Sequence, residues 1–390
     1  MSSAPEEISV PLSTPSLRGN EGAYVKECID TEWVSSGGAF VERFEEAVAA
    51  FVNRSYGVAT VNGTAALHTA LLVAGIRSGE EVLVSDLTFI APVNTIRYVG
   101  AWPVLIGAEP QFWQMDPEKV AQFLAEKCEH RKDGVYNRRS GRRVSCILPV
   151  HILGHPCDME ALLELARRYD LIVIEDATES LGADYRGRRV GSLGDVACFS
   201  FNGNKIITTG GGGMLVTDDP AMGERARYLT TQAKDDPQEY VHGEIGYNYR
   251  LTNVQAALGV AQMEALPELV ESKRAIAEHY SRAFAQVPGV EPMRQASWAT
   301  SSWWLYTVLV DAQARGEDSR ALMRRLAKAG IMSRPLWQPM HLSPAHRDVE
   351  SYHCEVSARL HERALSLPSS ANLTLKDQRR VIDTVAAPGP

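Results

Sequence analysis

The sequence has little of what marks metal-binding, membrane or nucleic-acid proteins. Its six cysteines include no C-x-x-C pair, which argues against a zinc knuckle or a thioredoxin-like redox pair. No apolar run approaches the ~18 residues of a membrane helix, and no basic segment precedes an apolar one at the N-terminus. A net charge of -8 provides no basic footprint for nucleic acid. We therefore expect a cytoplasmic protein with buried thiols, without a signal peptide, a metal site, or nucleic-acid or membrane partners.

Two glycine-rich nucleotide-binding patterns are also missing. In "FSFNGNKIITTGGGGM" (199–214) the glycines follow Lys205, whereas a P-loop lysine follows its glycines and precedes Ser or Thr. The strand-like segment after the glycines argues against a G-x-G-x-x-G turn, and therefore against a nicotinamide-dependent oxidoreductase. Lys205 remains either a solvated surface lysine or, because it follows a predicted buried strand, a desolvated nucleophile.

What the sequence does contain is an alternation of short apolar runs and amphipathic helical patterns. The apolar runs, rich in β-branched residues, are 56–61, 81–86, 102–107, 146–152, 171–176, 197–201 and 213–218. Most are nearly all apolar rather than alternating, which indicates strands covered on both faces of a mostly parallel sheet. Helical patterns at 63–76 and 158–170 lie between them. The fold class is therefore α/β.

The pattern changes near residue 250. Thr252 and Gln255 have the spacing of a capping box, and the long helical pattern that follows is expected to be interrupted at Pro267. A predicted strand (301–311) and a predicted helix (318–330) come next. We expect an N-terminal arm (1–19), a large domain (20–265) and a smaller α+β domain (266–390), joined through the long helix.

A nucleophilic lysine suggests pyridoxal phosphate, which needs an acid at its ring nitrogen, a phosphate site and an aromatic contact. Asp176 ends a predicted strand and supplies a carboxylate. The segment "NGT" (62–64) joins a strand to a helix, whose N-terminus attracts phosphate. Phe89 follows another strand and is placed to stack on a ring. Each also has a plainer interpretation: Asp176 as a helix cap, Gly63 as a turn and Phe89 as core.

Six motifs, in order, carry a family resemblance: "NGTAALHTALL", "LTFIAPVNTI", "PVHILGHPCDM", "IEDATESLGA", "FSFNGNK" and "GYNYRLTNVQAALG". Together they resemble the DegT/DnrJ/EryC1/StrS family of sugar aminotransferases, over about residues 18 to 370. The resemblance implies a fold-type I, pyridoxal-phosphate-dependent enzyme. "TEWVSSGGAFVERFEE", "HILGHP" and "NGNKIITTGGGGM" are more similar to the branch that makes 4-amino-4,6-dideoxy sugars, which includes the legionaminic acid and bacillosamine pathway aminotransferases.

The resemblance also implies site residues. Lys205 would bind the cofactor covalently, Asp176 would pair with the ring nitrogen, and Phe89 would stack on the ring. The phosphate would be bound by Gly63, Thr64 and Ser200, and by Asn248 of the neighbouring subunit, which implies a homodimer with shared active sites. Two positions depart from the family pattern: Glu179 stands where many relatives have Gln or His, and Gly211 replaces a common Glu.

The implied reaction is transamination, with pyridoxamine phosphate as the intermediate form of the cofactor. Glutamate would donate the amino group to a nucleotide-linked 4-keto-6-deoxy sugar for surface glycan or nonulosonic acid biosynthesis. We expect UDP-2-acetamido-2,6-dideoxy-4-hexulose as substrate, with a GDP-perosamine-synthase-like 4-aminotransferase as the alternative. A dehydratase of the same family is disfavoured by Lys205, since such members carry His there. A non-catalytic regulatory protein of the same fold would have lost the lysine, acid and aromatic set.

Four further residues are candidates for substrate binding. His151 ends a predicted strand and is either part of a satisfied turn or a substrate contact. Trp337 and His341 lie in the proline-punctuated loop 334–341, where they could meet the nucleotide. Arg250 follows Asn248 within the motif and completes the predicted set.

Overall fold

Helices and strands alternate along most of the chain in the computed structural model, which describes residues 8–236 and 238–389. The α-helices are α1 (Glu21–Asp30), α2 (Ala39–Phe51), α3 (Gly63–Val73), α4 (Ala91–Tyr98), α5 (Pro117–Gln122), α6 (Met159–Tyr169), α7 (Pro220–Thr230), α8 (Asn253–Phe284), α9 (Ala312–Arg315), α10 (Ser319–Lys328), α11 (Glu355–Arg363) and α12 (Leu375–Ala386).

Within the described residues the strands fall into four sheets. They are β1 (Tyr56–Thr60), β2 (Glu81–Ser85), β3 (Trp102–Ile106), β4 (Cys128–Arg131), β5 (Gly134–Asn137), β6 (Arg143–Leu148), β7 (Ile172–Asp176), β8 (Asp184–Tyr185), β9 (Arg188–Arg189), β10 (Val196–Ser200), β11 (Gly213–Thr217), β12 (Lys234–Asp236), β13 (Val241–His242), β14 (Val290–Pro292), β15 (Ala299–Thr300), β16 (Tyr306–Val310), β17 (Arg334–Pro335), β18 (Glu350–Tyr352) and β19 (Ala364–Leu367).

The largest sheet runs in the order β1-β11-β10-β7-β6-β2-β3-β18. From β10 to β18 every neighbouring pair is parallel, whereas β11 is antiparallel to both β1 and β10. Its strands are buried because helices cover both faces, which explains their continuous apolar sequences. The predicted α/β fold with a mostly parallel sheet is therefore confirmed.

The basic segment 131–143 forms a hairpin at the side of this sheet. Strands β4 and β5 pair antiparallel, and β5 pairs with β6.

All six cysteines are buried free thiols. None of the helices in the described residues has the length and apolar composition needed to cross a membrane.

Helix α8 begins as predicted but does not stop where predicted. The Thr252 side chain accepts a hydrogen bond from the Gln255 backbone N–H, and the Gln255 side chain returns to Thr252, which completes the capping box. The expected interruption at Pro267 is wrong, because the helix continues through it to Phe284. Proline removes one backbone donor, and packing of both halves of α8, against α1 and α2 and against α12, outweighs that loss.

The second half of α8 packs on a smaller antiparallel sheet of order β14-β16-β19-β17. These elements, with α10 and α12, enclose a separate apolar core. The N-terminal arm reaches the same region, since Val10 pairs with Ile331. The proposed boundary between residues 265 and 266 lies inside α8, so the helix itself links the two proposed domains. Residues 1–7 of the predicted arm lie outside the described residues.

Candidate active site

The carboxyl ends of β1, β2, β7 and β10 face one cavity, as expected for the edge of a parallel sheet. Its volume is about 330 Å3. It brings together the predicted site residues Gly63, Thr64, Phe89, Asp176, Glu179, Ser200, Lys205 and Trp337. Its other lining residues are Asn62, Leu67, Thr88, Ala91, Pro92, Val150, Thr178, Asn202, Asn204 and Trp304.

Lys205 reaches the cavity from the turn after β10. Its backbone N–H donates to the Asn202 carbonyl (3.0 Å), which sets the direction of the turn. The side-chain Nζ lies 3.9 Å from Glu179 Oε1 and 3.8 Å from the centre of the Trp304 ring. Burial lowers the pKa of Lys205, while the negative charges of Glu179 and Asp176 oppose that shift. A lysine with a lowered pKa is a stronger nucleophile at neutral pH, because more of it is uncharged.

Asp176 is the last residue of β7, and its carboxylate is buried in the cavity wall. One of its oxygens, Oδ1, accepts a hydrogen bond from the Thr178 backbone N–H (3.1 Å). Burial raises the pKa of Asp176, and the Thr178 hydrogen bonds and the charge of Lys205 act against this rise. A cationic group inside the cavity would therefore stabilise the ionised form of this carboxylate.

Glu179 is held at the cavity by the segment after β6. Its Oε2 accepts a hydrogen bond from the Leu153 backbone N–H (2.8 Å). Burial raises the pKa of Glu179 to about 7, although the nearby Lys205 charge lowers it. The cavity therefore favours the uncharged form of this carboxyl more than water does.

The N-terminus of α3 forms the opposite end of the cavity. Asn62 caps the helix by accepting a hydrogen bond from the Ala65 backbone N–H (2.8 Å). Glycine is required at position 63, since a Cβ there would lie 2.9 Å from Ser200 Cβ. Gly213 pairs with both Thr60 and Ser200, and its Cβ position is filled by the Asn62 carbonyl. These close approaches bring the free helix N–H groups and the Ser200 hydroxyl to one concave surface.

Aromatic side chains line the rest of the cavity. Phe89 is 55% exposed, so a ring bound in the cavity would cover surface that is otherwise open to solvent. Trp304 and Trp337 stack nearly parallel, with ring centres 6.3 Å apart. Trp304 was not among the predicted site residues, because "SSWWLYTVLVD" was interpreted only as a strand. The strand begins at Tyr306, and the tandem tryptophans before it were the available signal.

Two of the predicted substrate contacts are engaged within the protein instead. The ring of His151 is fully buried, with Nε2 3.2 Å from Glu175 Oε2 and Nδ1 accepting from the Cys157 backbone N–H. Arg250 Nη1 donates to Glu45 Oε1 (2.5 Å). Neither residue lines the cavity, because each side chain contacts an acidic residue elsewhere: His151 contacts Glu175, and Arg250 contacts Glu45.

His341 and Asn248 also lie away from the cavity walls. His341 Nδ1 is 2.8 Å from Asp86 Oδ2, and its backbone N–H donates to the same carboxylate. This pair anchors the loop that carries Trp337. Asn248 is exposed and lies opposite Thr231, in a segment that leads to α8. Its predicted partner, the phosphate site of a second subunit, requires this outward position.

The cavity residues fit pyridoxal phosphate. Lys205 suits an aldehyde, the buried Asp176 suits a basic ring nitrogen, and the α3 N-terminus with Ser200 suits a phosphate. The narrow space between Gly63 and Ser200, which a Cβ would fill, leaves room for the backbone to approach an anion. The three functions lie on one continuous cavity surface, as a single molecule with these groups requires.

Comparison with known proteins gives consistent matches over nearly the whole chain. The model of the DegT/DnrJ/EryC1/StrS aminotransferase family matches residues 15–386. GDP-perosamine synthase of Caulobacter vibrioides is 38% identical over 374 residues, 96% of each chain. GDP-perosamine synthase of Escherichia coli O157:H7 is 37% identical over 365 residues, 94% of each chain. The crystal structure of S. venezuelae DesV, in complex with a ketimine intermediate, superposes with a TM-score of 0.84 and 31% identity, covering 94% of this chain and 93% of that one.

Proposed function

Because the chain belongs to the DegT/DnrJ/EryC1/StrS aminotransferase family, we propose that it aminates C4 of a GDP-linked 4-keto-6-deoxy sugar. The protein is a pyridoxal-phosphate-dependent aminotransferase of nucleotide sugars, and this broader assignment rests on the family and its relatives. The choice of GDP is supported by GDP-perosamine synthases that are 38% and 37% identical over nearly the full chain.

This proposal reverses the order of the two substrates expected from sequence motifs. The short motifs resemble enzymes of legionaminic acid and bacillosamine pathways and favoured a UDP-linked 2-acetamido sugar. The matches to GDP-perosamine synthases extend over almost the whole chain, whereas the motifs that favoured the UDP-linked sugar are short. We therefore give the GDP-linked sugar priority, and the UDP-linked sugar becomes the competing substrate in the test.

The observation that carries the proposed chemistry is the meeting of Lys205 with two buried carboxyls, Asp176 and Glu179, in one cavity. When bound, pyridoxal phosphate supplies the electron sink for a proton shift between amino donor and cofactor. Lys205 would hold the cofactor's aldehyde through its Nζ, and as a free amine the same Nζ would accept and return the proton that is moved. The lowered pKa of Lys205 favours the uncharged amine that this transfer needs.

Asp176 and Glu179 serve different parts of the same site. Asp176 holds a proton at the ring nitrogen, because its buried carboxylate gains a cationic partner there. Glu179, whose pKa is raised to about 7, favours the charged form of Lys205 when it is itself ionised. The N-terminus of α3 and Ser200 bind the phosphate and thereby fix the position of the ring.

We propose that the functional unit is a homodimer with shared sites. Asn248 is exposed, and it is not among the residues that line the protein's own cavity. The exposed apolar side chains Trp33, Phe89, Tyr98 and Ile245 offer surface for a partner. In that arrangement Asn248 of one subunit completes the phosphate site of the other.

The test is turnover of a panel of 4-keto sugar nucleotides with glutamate, in which GDP-4-keto-6-deoxy-mannose and UDP-2-acetamido-2,6-dideoxy-4-hexulose are compared at equal concentration. The proposal expects a higher kcat/KM for the GDP-linked sugar. Preference for the UDP-linked sugar would overturn the substrate assignment while keeping the aminotransferase. Replacing glutamate by glutamine or alanine in the same assay identifies the donor.

A further inference from the structure

Lys273 lies in the middle of α8, and its side chain is 2% exposed. Its Nζ donates one hydrogen bond to the Trp304 carbonyl (2.8 Å) and one to the Ser369 carbonyl (2.6 Å). Burial lowers the pKa of Lys273 to about 7, and no neighbouring charge contributes to the shift. Burying a cation without an acidic partner is costly, so the two carbonyls are what stabilise it.

One of those carbonyls belongs to a wall of the active site. The Trp304 indole covers Lys205 Nζ at 3.8 Å, and its Nε1–H donates to the Asn204 carbonyl (2.6 Å), next to Lys205 in sequence. Trp304 is therefore held at both ends: its backbone by Lys273 and its ring by Asn204. The indole also lies nearly parallel to that of Trp337, with ring centres 6.3 Å apart.

We propose that Lys273 is a positioning residue, which fixes the backbone of Trp304 so that the indole covers the Nζ of Lys205 and keeps water from it. The two lysines do not touch, and the tryptophan between them transmits the effect. The long helix α8 makes this possible, because it carries Lys273 to the carbonyl side of a segment whose side chains face the cavity.

This inference goes beyond the choice of substrate and concerns Lys205 in the protein free of sugar. A purely structural role for Lys273 makes a different prediction. If Lys273 only joined α8 to the segments before β16 and after β19, its loss would lower stability and leave the surroundings of Lys205 unchanged. The reactivity of Lys205 distinguishes the two roles, since it depends on how well the indole covers Nζ.

The experiment measures acetylation of Lys205 by an N-hydroxysuccinimide ester in full-length protein freed of cofactor, with peptide mass spectrometry as the readout. Rates are followed as a function of pH, which separates the limiting rate of the free amine from its titration. Lys273→Met keeps the length of the side chain and removes both hydrogen bonds. We expect the limiting rate at Lys205 to rise about tenfold, the factor that corresponds to losing one hydrogen bond to a charged group.

Three comparisons make the result specific. Lys376→Met removes an exposed lysine of the same region and is expected to leave the Lys205 rate unchanged. Lys273→Arg retains donors for both carbonyls and is expected to keep the rate close to wild type. Trp304→Ala should raise the rate by itself, and Lys273→Met added to it should raise it no further.

A wild-type limiting rate in a cooperatively melting Lys273→Met variant would overturn the proposal. So would full additivity of Lys273→Met and Trp304→Ala, because Lys273 would then act by another route. If Lys273→Met does not fold, Lys273→Gln is used, which keeps a polar side chain but is shorter than lysine and uncharged. The same criteria apply to that variant. Failure of the sugar assay affects none of these outcomes.

Discussion

The Nζ of Lys205 lies 3.9 Å from Oε1 of Glu179, which is buried, while the lysine side chain is 13% exposed. Neither is in its ordinary state: burial lowers the pKa of the lysine and raises that of the carboxyl to about 7. Each charge also stabilises the other, so the two groups titrate as a pair. The carboxyl at position 179 therefore sets how much of Lys205 is uncharged at a given pH.

Replacing Glu179 by Gln should lower the apparent pKa of Lys205 still further. The ionised Glu179 favours the ammonium form, so its removal leaves the effect of burial less opposed. The pH at which Lys205 becomes half-reactive toward an acylating reagent, measured in cofactor-free protein, should move to lower pH. Glu164→Gln, at an exposed position on α6, is the control and should not shift it. A midpoint that stays constant or moves upward would contradict the coupling.

Replacing Asp176 by Asn separates catalysis from stability. Turnover should fall by about 10²-fold or more, because the buried negative charge that stabilises the ring nitrogen is gone. Burial raises the pKa of Asp176, so its contribution to stability is present at low pH and lost as pH rises through the folded-state pKa. Asparagine does not ionise, so the Asp176→Asn variant does not lose stability in this way as pH rises.

We therefore expect cofactor-free Asp176→Asn to melt at the wild-type temperature or above it at neutral pH. Calorimetry over a range of pH is the measurement. Near-normal turnover would show that this carboxylate serves only to accept the hydrogen bond from the Thr178 backbone.

Lys205→Ala should abolish transamination and leave pyridoxal phosphate bound without a covalent link. Borohydride reduction of the wild-type holoenzyme, followed by peptide mapping, should place the pyridoxyl group on Lys205. The buried Lys273 provides an internal comparison, since it lies outside the cavity and should carry no label. A label on any lysine other than Lys205 would disprove the assignment.

Subunit sharing makes a quantitative prediction. Homodimers of Lys205→Ala and of Asn248→Ala should both be strongly impaired, whereas mixing and refolding them together should restore activity. Random pairing gives half mixed dimers, each with one intact site, so recovery should reach up to about a quarter of wild type. The composition of the dimers is checked by mass spectrometry. Mixed dimers without recovered activity would mean that each site is built from one chain.

The strands were predictable because their signal is local. The run 171–176 is apolar as far as Ile174, and the strand begins only one residue later than predicted and ends at Asp176 as predicted. The same reasoning located the cavity, since polar residues at strand ends meet at one edge of a parallel sheet. Short elements such as β18 carry no apolar run, and their pairing depends on residues far away in sequence.

Side-chain pairing was the part that sequence could not supply. The buried partners of Arg250 and His341 are Glu45 and Asp86, each more than two hundred residues away. Nothing local distinguishes a histidine that holds a loop from one that meets a nucleotide. At Pro267 the local sequence was misleading instead of silent. A proline predicts the end of a helix, but packing along the whole length of α8 keeps the helix continuous.

The parallel pairing of β18 with β3 has a consequence for how the protein is made. The outer edge of the large sheet stays open until residues 350–352 have left the ribosome, although β3 itself is synthesised much earlier. An open edge exposes unpaired backbone groups that recruit strands from other chains. Nascent chains that stop before Glu350 should therefore aggregate or depend on chaperones, whereas release of the last tenth of the polypeptide lets the sheet close.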